Sequence, residues 1–202
     1  MAKHFDEKER QHIIAQLRDV GHAEFTRRGL RAARIEDICR NVGISKGSFY
    51  NFFPAKEQLF LSIIEQRERV HRASMMELVA GFAGKEAQLL NQLFEIIVSA
   101  IQTDPFIAVM QQPGEMEHLA RKIGAEQLAE HQASDFEFFA ELTKTMQANG
   151  YCINAQQNTL AEIAVLIFCT SMQSELLPPE TLAAAFTQLK DLMHFKLSSK
   201  GA

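Results

Sequence analysis

Apolar residues recur at three- and four-residue spacing along nearly the whole chain, and no stretch alternates in the manner of a half-buried strand. The pattern predicts an all-α protein of about nine to ten helices. The first is expected from about Asp6 to Arg28: Asp6 and Glu9 stand at capping-box spacing, Ile13, Leu17, Gly21 and Phe25 suit a packed face, and Gly29 suits the position after the end. Ile35, Ile38, Cys39 and Val42 form the apolar stripe of a short second helix, which Gly43 should close. Ser45 then offers its hydroxyl as the N-cap of a third helix near Lys46 to Phe52. A long fourth helix is expected over about Lys56–Val79, and a fifth over Lys85–Gln102. Asp104-Pro105 should open a short helix to Gln112. Further helices are expected over Glu115–Ile123, Ala125–Ala148, Asn158–Leu177 and Pro179–Leu197.

The second and third helices are separated by about three residues, the length of a helix-turn-helix joint. That joint serves to place the second of its helices in the major groove of DNA. Phe49, with Phe52 or Phe53, should anchor the third helix inward, leaving Lys46, Gly47, Ser48, Tyr50 and Asn51 outside. These offer a cation, a close backbone approach, a small hydroxyl, a phenol that reaches phosphate and an amide that can pair with adenine or phosphate.

The run Val42-Gly43-Ile44-Ser45-Lys46-Gly47-Ser48-Phe49-Tyr50, with Ile38 before it and Phe52-Phe53 and Lys56-Glu57-Gln58-Leu59 after it, resembles the DNA-binding domain of the TetR/AcrR family of bacterial regulators. The resemblance covers about residues 8 to 62, and beyond them it is one of helical layout. It implies an N-terminal three-helix DNA-binding domain, residues 1–55, and a helical effector-binding and dimerisation domain, residues 56–202. Carried over by position, it implies phosphate contacts at Ser45, Tyr50 and Lys56, and base-edge or mixed contacts at Lys46, Gly47, Ser48 and Asn51. Two positions depart from the family pattern. Ala33-Arg34 stands where Thr or Ser is common, so Arg34 replaces a hydroxyl cap, and Ala55 stands where Ser or Asn is common.

The net charge of −4 looks unsuited to DNA until it is divided. Residues 1–56 carry 11 Lys/Arg against 7 Asp/Glu, while the rest carries 10 against 18, a basic head on an acidic body. Arg27 and Arg28 in the last turn of the first helix suit either the helix dipole or phosphate. Three cysteines at irregular spacing point to a reducing compartment. Cys39 and Cys169 are read as small core residues. Cys152 follows a loop with no Lys, Arg or His beside it in sequence to stabilise a thiolate. The polar N-terminus shows no signal-peptide pattern, and the longest fully apolar run, Ile163 to Cys169, is far short of the ~20 residues that cross a membrane. A cytoplasmic protein without membrane contact and without a cofactor is expected.

In the last helix, Leu182, Ala185, Phe186, Leu189, Leu192 and Met193 form one stripe, and the helix before it is apolar on more than one face. Two such helices per chain suit a four-helix homodimer interface, the family's usual arrangement. Phe94, Ile97, Met110, Met116, Phe136, Phe139 and Met172 lie on the middle helices, where the resemblance implies an effector pocket, and their chemistry suits a small apolar or aromatic effector. A ligand-responsive repressor bound as a dimer to a pseudo-palindromic operator is the reading that follows. The alternative is a carboxylate-bridged di-iron bundle. Glu-x-x-His occurs at Glu9/His12, Glu68/His71 and Glu115/His118, with Glu95 and Glu162 as further carboxylates.

Overall fold

A computed structural model of the chain describes residues 6–153, 158–174 and 176–198. The described residues form ten α-helices: α1 (Glu7–Ala32), α2 (Ile35–Val42), α3 (Lys46–Phe49), α4 (Lys56–Gly81), α5 (Glu86–Gln102), α6 (Pro105–Gln111), α7 (Glu115–Ile123), α8 (Ala125–Ala148), α9 (Thr159–Ser171) and α10 (Pro179–Leu197). The one extended pairing among them is an isolated bridge between Ile153 and Ser198. The fold is all-α, with an N-terminal helix-turn-helix part followed by a helical part.

Packing divides the chain into two compact units, residues 1–68 with 105–125, and residues 69–104 with 126–202. The division falls inside α4 rather than at residue 55, and α6 and α7 join the N-terminal unit. The reason is aromatic. Phe25 of α1, Phe60 of α4 and Phe106 of α6 are all buried at 1% exposure or less. Phe60 stacks on Phe106 with centroids 4.5 Å apart, and Phe25 meets Phe60 edge-on at 5.2 Å. Rings in these geometries contribute beyond the area they bury. His22 also stacks on Phe106 at 5.1 Å, and Leu17, Leu30, Ile38 and Leu59 of the same unit are fully buried.

In the second unit the core is aliphatic: Val79, Leu89, Leu90, Leu93, Leu142, Met146, Ile163 and Ile167, closed by Phe186, Met193 and Leu197 of α10. Loops are tied to it by polar bonds to main chain. Asn149 Nδ2 donates to Val79 O at 2.9 Å, and the Tyr151 hydroxyl donates to Phe82 O at 2.8 Å.

Nine helix spans agree with the periodicity to within a few residues, and α9 does not. The pattern carried it to Leu177, and it stops at Ser171. Beyond that point Gln173 N–H bonds Thr170 O and Ser174 N–H bonds Ser171 O, so the backbone tightens from four- to three-residue closure. The Ser171 hydroxyl also donates to Phe168 O at 2.6 Å. Short hydroxyl side chains that bond the preceding turn compete with helix continuation, and the apolar Leu176-Leu177 pair concealed that stop.

Truncating Phe60 to alanine removes the ring shared by the stack and the edge contact. It should destabilise the protein by about 3–5 kcal/mol in urea unfolding. A loss below about 1 kcal/mol would mean the aromatic cluster does not hold the N-terminal unit together.

Candidate nucleic-acid interface

Gly43 takes φ 80°, the left-handed conformation that closes α2, and its N–H and that of Ile44 return to Cys39 O at 2.9 and 3.0 Å. Three residues later α3 has begun. Ser45 Oγ accepts from Ser48 N–H at 3.0 Å and lies 2.8 Å from the Ser48 hydroxyl. Regular helix lasts only four residues, Lys46 to Phe49. It continues as turns, with Asn51 N–H on Ser48 O and Phe52 and Phe53 N–H on Phe49 O. So short a helix cannot hold itself in water. Phe49 is fully buried and Phe52 and Phe53 nearly so, and these three rings fix it.

Their burial turns the opposite side outward. Ser45, Lys46, Gly47, Tyr50 and Asn51 are exposed, Tyr50 at 48%, and Ser48 is half-buried. Arg34 is exposed at the N-cap of α2 and makes no side-chain cap there, so the first turn of α2 lacks the hydroxyl cap that the family pattern supplies.

Two of the expected DNA-contacting cations are already engaged. Lys46 Nζ sits 2.6 Å from Glu36 Oε1. The bond holds the Glu36 carboxyl below, and the Lys46 ammonium above, their ordinary pKa values. Lys56 is half-buried, and its ammonium donates to Arg31 O at 2.7 Å and Ala33 O at 2.9 Å. Burial draws its pKa below the usual lysine value, with Glu57 and Glu115 opposing the shift. An ammonium has three donors, so Lys56 serves the α1–α2 joint first and a phosphate second. Arg27 and Arg28 both pair with the buried Glu24, and Arg28 also approaches Asp37 at 3.9 Å. Specific acidic partners, more than the helix dipole, account for their position.

Arg10 was not among the residues the sequence singled out. From α1 its guanidinium donates to Asn51 O at 3.2 Å and lies 5.3 Å from the centre of the Phe52 ring. It thus closes the turn after α3 across a separation of 41 residues, which no local pattern signals.

The remaining sequence-derived sites are distributed as follows. Met110 and the half-buried Met116 belong to the N-terminal unit, while Phe94, Ile97, Phe136, Phe139 and Met172 belong to the second. Phe94 and Ile97 are core residues, Phe139 packs against that core, and Phe136 and Met172 are half-buried. The α10 stripe needs correction. Phe186 and Met193 are buried in their own unit's core, so they are not open to a partner, while Leu182, Ala185, Leu189 and Leu192 are half-buried. A stripe that reads as one face from sequence here serves the core first. Cys39 is buried as expected, whereas Cys169 is exposed, as is Cys152. Glu95 is exposed and paired with Lys190 at 2.8 Å, Glu162 is exposed, and His118 is bonded to Glu57 at 2.9 Å. A di-iron arrangement is not favoured by carboxylates so placed. Among the described residues no single helix is long and apolar enough to cross a membrane.

Residues 17–63 match the model for bacterial regulatory proteins of the tetR family. A nucleoid occlusion factor, SlmA, of Haemophilus influenzae is 25% identical over 88 residues, which is 44% of this chain. The match spans 37% of that relative's length. A TetR-family transcriptional regulator from Pectobacterium atrosepticum superposes with a TM-score of 0.73 at 15% identity, covering 96% of this chain and 99% of its own. A Saccharomonospora viridis protein assigned as a transcriptional regulator, and crystallised in complex with choline, superposes with a TM-score of 0.64 at 18% identity over 94% of this chain and all of its own. At such identities the structures establish the fold alone, while the helix-turn-helix carries the family's own sequence pattern. Residues 17–63 thus carry the sequence pattern of bacterial regulatory proteins of the tetR family, on a fold that the solved regulators share.

Proposed function

We propose that the protein is a homodimeric repressor that reads a pseudo-palindromic operator through α3 and releases or alters its grip when a small apolar or aromatic effector binds the helical part. The observation that carries the DNA reading is the outward face of α3. Burial of Phe49, Phe52 and Phe53 leaves a cation, a bare backbone, a hydroxyl, a phenol and an amide together on one exposed surface. In this reading Ser45, Tyr50 and Lys56 hold phosphates, Lys46, Gly47, Ser48 and Asn51 make base-edge or mixed contacts, and Arg34 lies at the flanking backbone. Residues 1–55 form the reading head and residues 56–202 the effector and dimer part.

A second copy is the partner that suits the second unit. Val165 and Leu166 of α9 are each 45% exposed and Phe195 of α10 is 62% exposed. These apolar residues, with the half-buried Leu182, Ala185, Leu189 and Leu192, offer the surface that a dimer would cover. Two heads on such a dimer would meet successive major grooves roughly 34–36 Å apart. The neighbour solved with choline supports a small molecule as the class of effector. For this chain the apolar character of Phe94, Ile97, Phe136 and Phe139, all in the second unit, favours a less polar one.

Selection of duplexes from a random-sequence pool tests the reading. Enrichment of one pseudo-palindrome, bound at near-physiological salt far more tightly than its scrambled version, is expected. Weak, sequence-blind binding lost with salt would refute it.

Two substitutions probe opposite parts of the face. Asn51→Ala should relax preference at one base position, with a cost of about 1–3 kcal/mol there and little elsewhere. An equal loss on every sequence would assign Asn51 to the backbone. Glu36→Gln should tighten binding to scrambled duplex at low salt by about two- to fivefold, because a solvent-exposed ion pair is weak and Lys46 is then released toward phosphate. Unchanged binding in a gel-shift titration would show that the Lys46–Glu36 pair does not compete with DNA.

A further inference from the structure

The third Glu-x-x-His pair, Glu115 and His118, is not used by the face described above, yet both side chains are engaged with residues that bracket it. The chain enters the helix-turn-helix through a break. Gly29 takes φ 78° and ψ 164°, which ends regular α1 geometry. A main-chain N–H just past such a break has lost its intrahelical acceptor and needs another.

Glu115 supplies it. Its Oε2 accepts from Arg31 N–H at 3.1 Å and its Oε1 from Arg31 Nε at 3.2 Å. The Arg31 guanidinium also donates to Pro113 O at 3.2 Å. The carbonyl of the same residue 31 is taken by Lys56. Residue 31 is therefore held on both sides of its backbone, by α7 through its N–H and by α4 through its C=O.

Three residues further along α7, on the same face, His118 Nε2 lies 2.9 Å from Glu57 Oε1. A carboxylate only accepts, so the ring nitrogen carries the hydrogen. Glu57 follows the helix-turn-helix as Arg31 precedes it. Glu57 and Glu115 are each 6% exposed, and buried carboxylates form strong, directional bonds to such donors.

We infer that Glu115 and His118 are positioning residues for DNA recognition: one turn of α7 clamps the chain at Arg31 and at Glu57, and so fixes the angle at which α2 and α3 leave their scaffold. The inference rests on the DNA-binding reading. Both clamped positions lie outside residues 35–50, so the clamp acts on the orientation of the reading helices and supplies no contact of its own.

The test uses the duplex that the wild-type full-length protein enriches from a random pool, beside its scrambled version, at one low salt concentration and across a salt series. Glu115→Ala and His118→Ala should each weaken the selected duplex about tenfold, as loss of a buried charge-assisted bond implies, with less than about a twofold change on the scrambled one. The salt slope should stay at the wild-type value, because no phosphate contact is removed. His118→Gln, which keeps a donor, should recover most of the loss. A variant that merely unfolds a fraction of the protein would weaken both duplexes equally, and that result would overturn the proposal, as would retained discrimination in both alanine variants. If Glu115→Ala does not fold, Glu115→Gln decides. It keeps the acceptor for Arg31 N–H and loses the bond to Arg31 Nε, so a loss of about threefold confined to the selected duplex is expected and none would refute the clamp. Failure of the wild type to enrich any duplex would instead remove the DNA-binding reading and the proposal with it.

Discussion

A helix of four residues cannot hold its own shape, and the surroundings of α3 answer that constraint. Nucleating a single helical turn in water is unfavourable, so α3 depends on what surrounds it. Phe49, Phe52 and Phe53 supply the burial, Ser45 caps the start and Arg10 closes the turn at the end. Apolar burial is not directional, whereas the cap and the guanidinium bond are. The rings therefore keep the segment down, and the polar bonds set how it lies. The face it presents owes its composition to the same division, since Lys46, Gly47, Tyr50 and Asn51, which do not anchor it, are left to solvent.

The cations of this face are not waiting free. Lys46 is paired with Glu36 and Lys56 holds two main-chain carbonyls. On the proposed reading a DNA phosphate at either lysine would compete with that internal partner, strongly for the half-buried Lys56 and weakly for the exposed Lys46. Arg27 and Arg28 are answered by Glu24 in the same way. A head whose positive charge is partly balanced from within attracts arbitrary DNA less than its count of Lys and Arg suggests, which favours contacts that also read sequence. The excess of basic over acidic residues in the first 56 positions gives attraction at long range, and the internal pairs moderate it at contact.

Much of this was legible from local order. The α2 stripe, Gly43, Ser45 and the Phe49 anchor are separated by few residues, so periodicity and cap chemistry place them, and the outward set from Lys46 to Asn51 follows. The long-range bonds of the N-terminal unit were not legible. Arg10 reaches Asn51 across 41 residues and Glu115 reaches Arg31 across 84, and neither leaves a mark in the neighbouring sequence. The Glu115/His118 pair was visible as a spacing, and the same spacing fits a metal ligand pair or a clamp. Only the partners separate those. On α10 an apolar stripe was evident, but a stripe does not say whether its own core or another copy covers it, and Phe186 and Met193 turned out to face the core. The α9 end was missed because Leu176-Leu177 prolonged an apolar pattern that hydroxyl-to-backbone bonding had already stopped.

Amide hydrogen exchange of the full chain, with and without the duplex it enriches from a random pool, tests the central claim most directly. The account predicts that DNA slows exchange across residues 33–56, most strongly from Ser45 to Phe53, because that segment carries the contacts and is the least stable by itself. Protection confined to other helices, or saturating DNA binding that leaves this segment exchanging as fast as before, would contradict it.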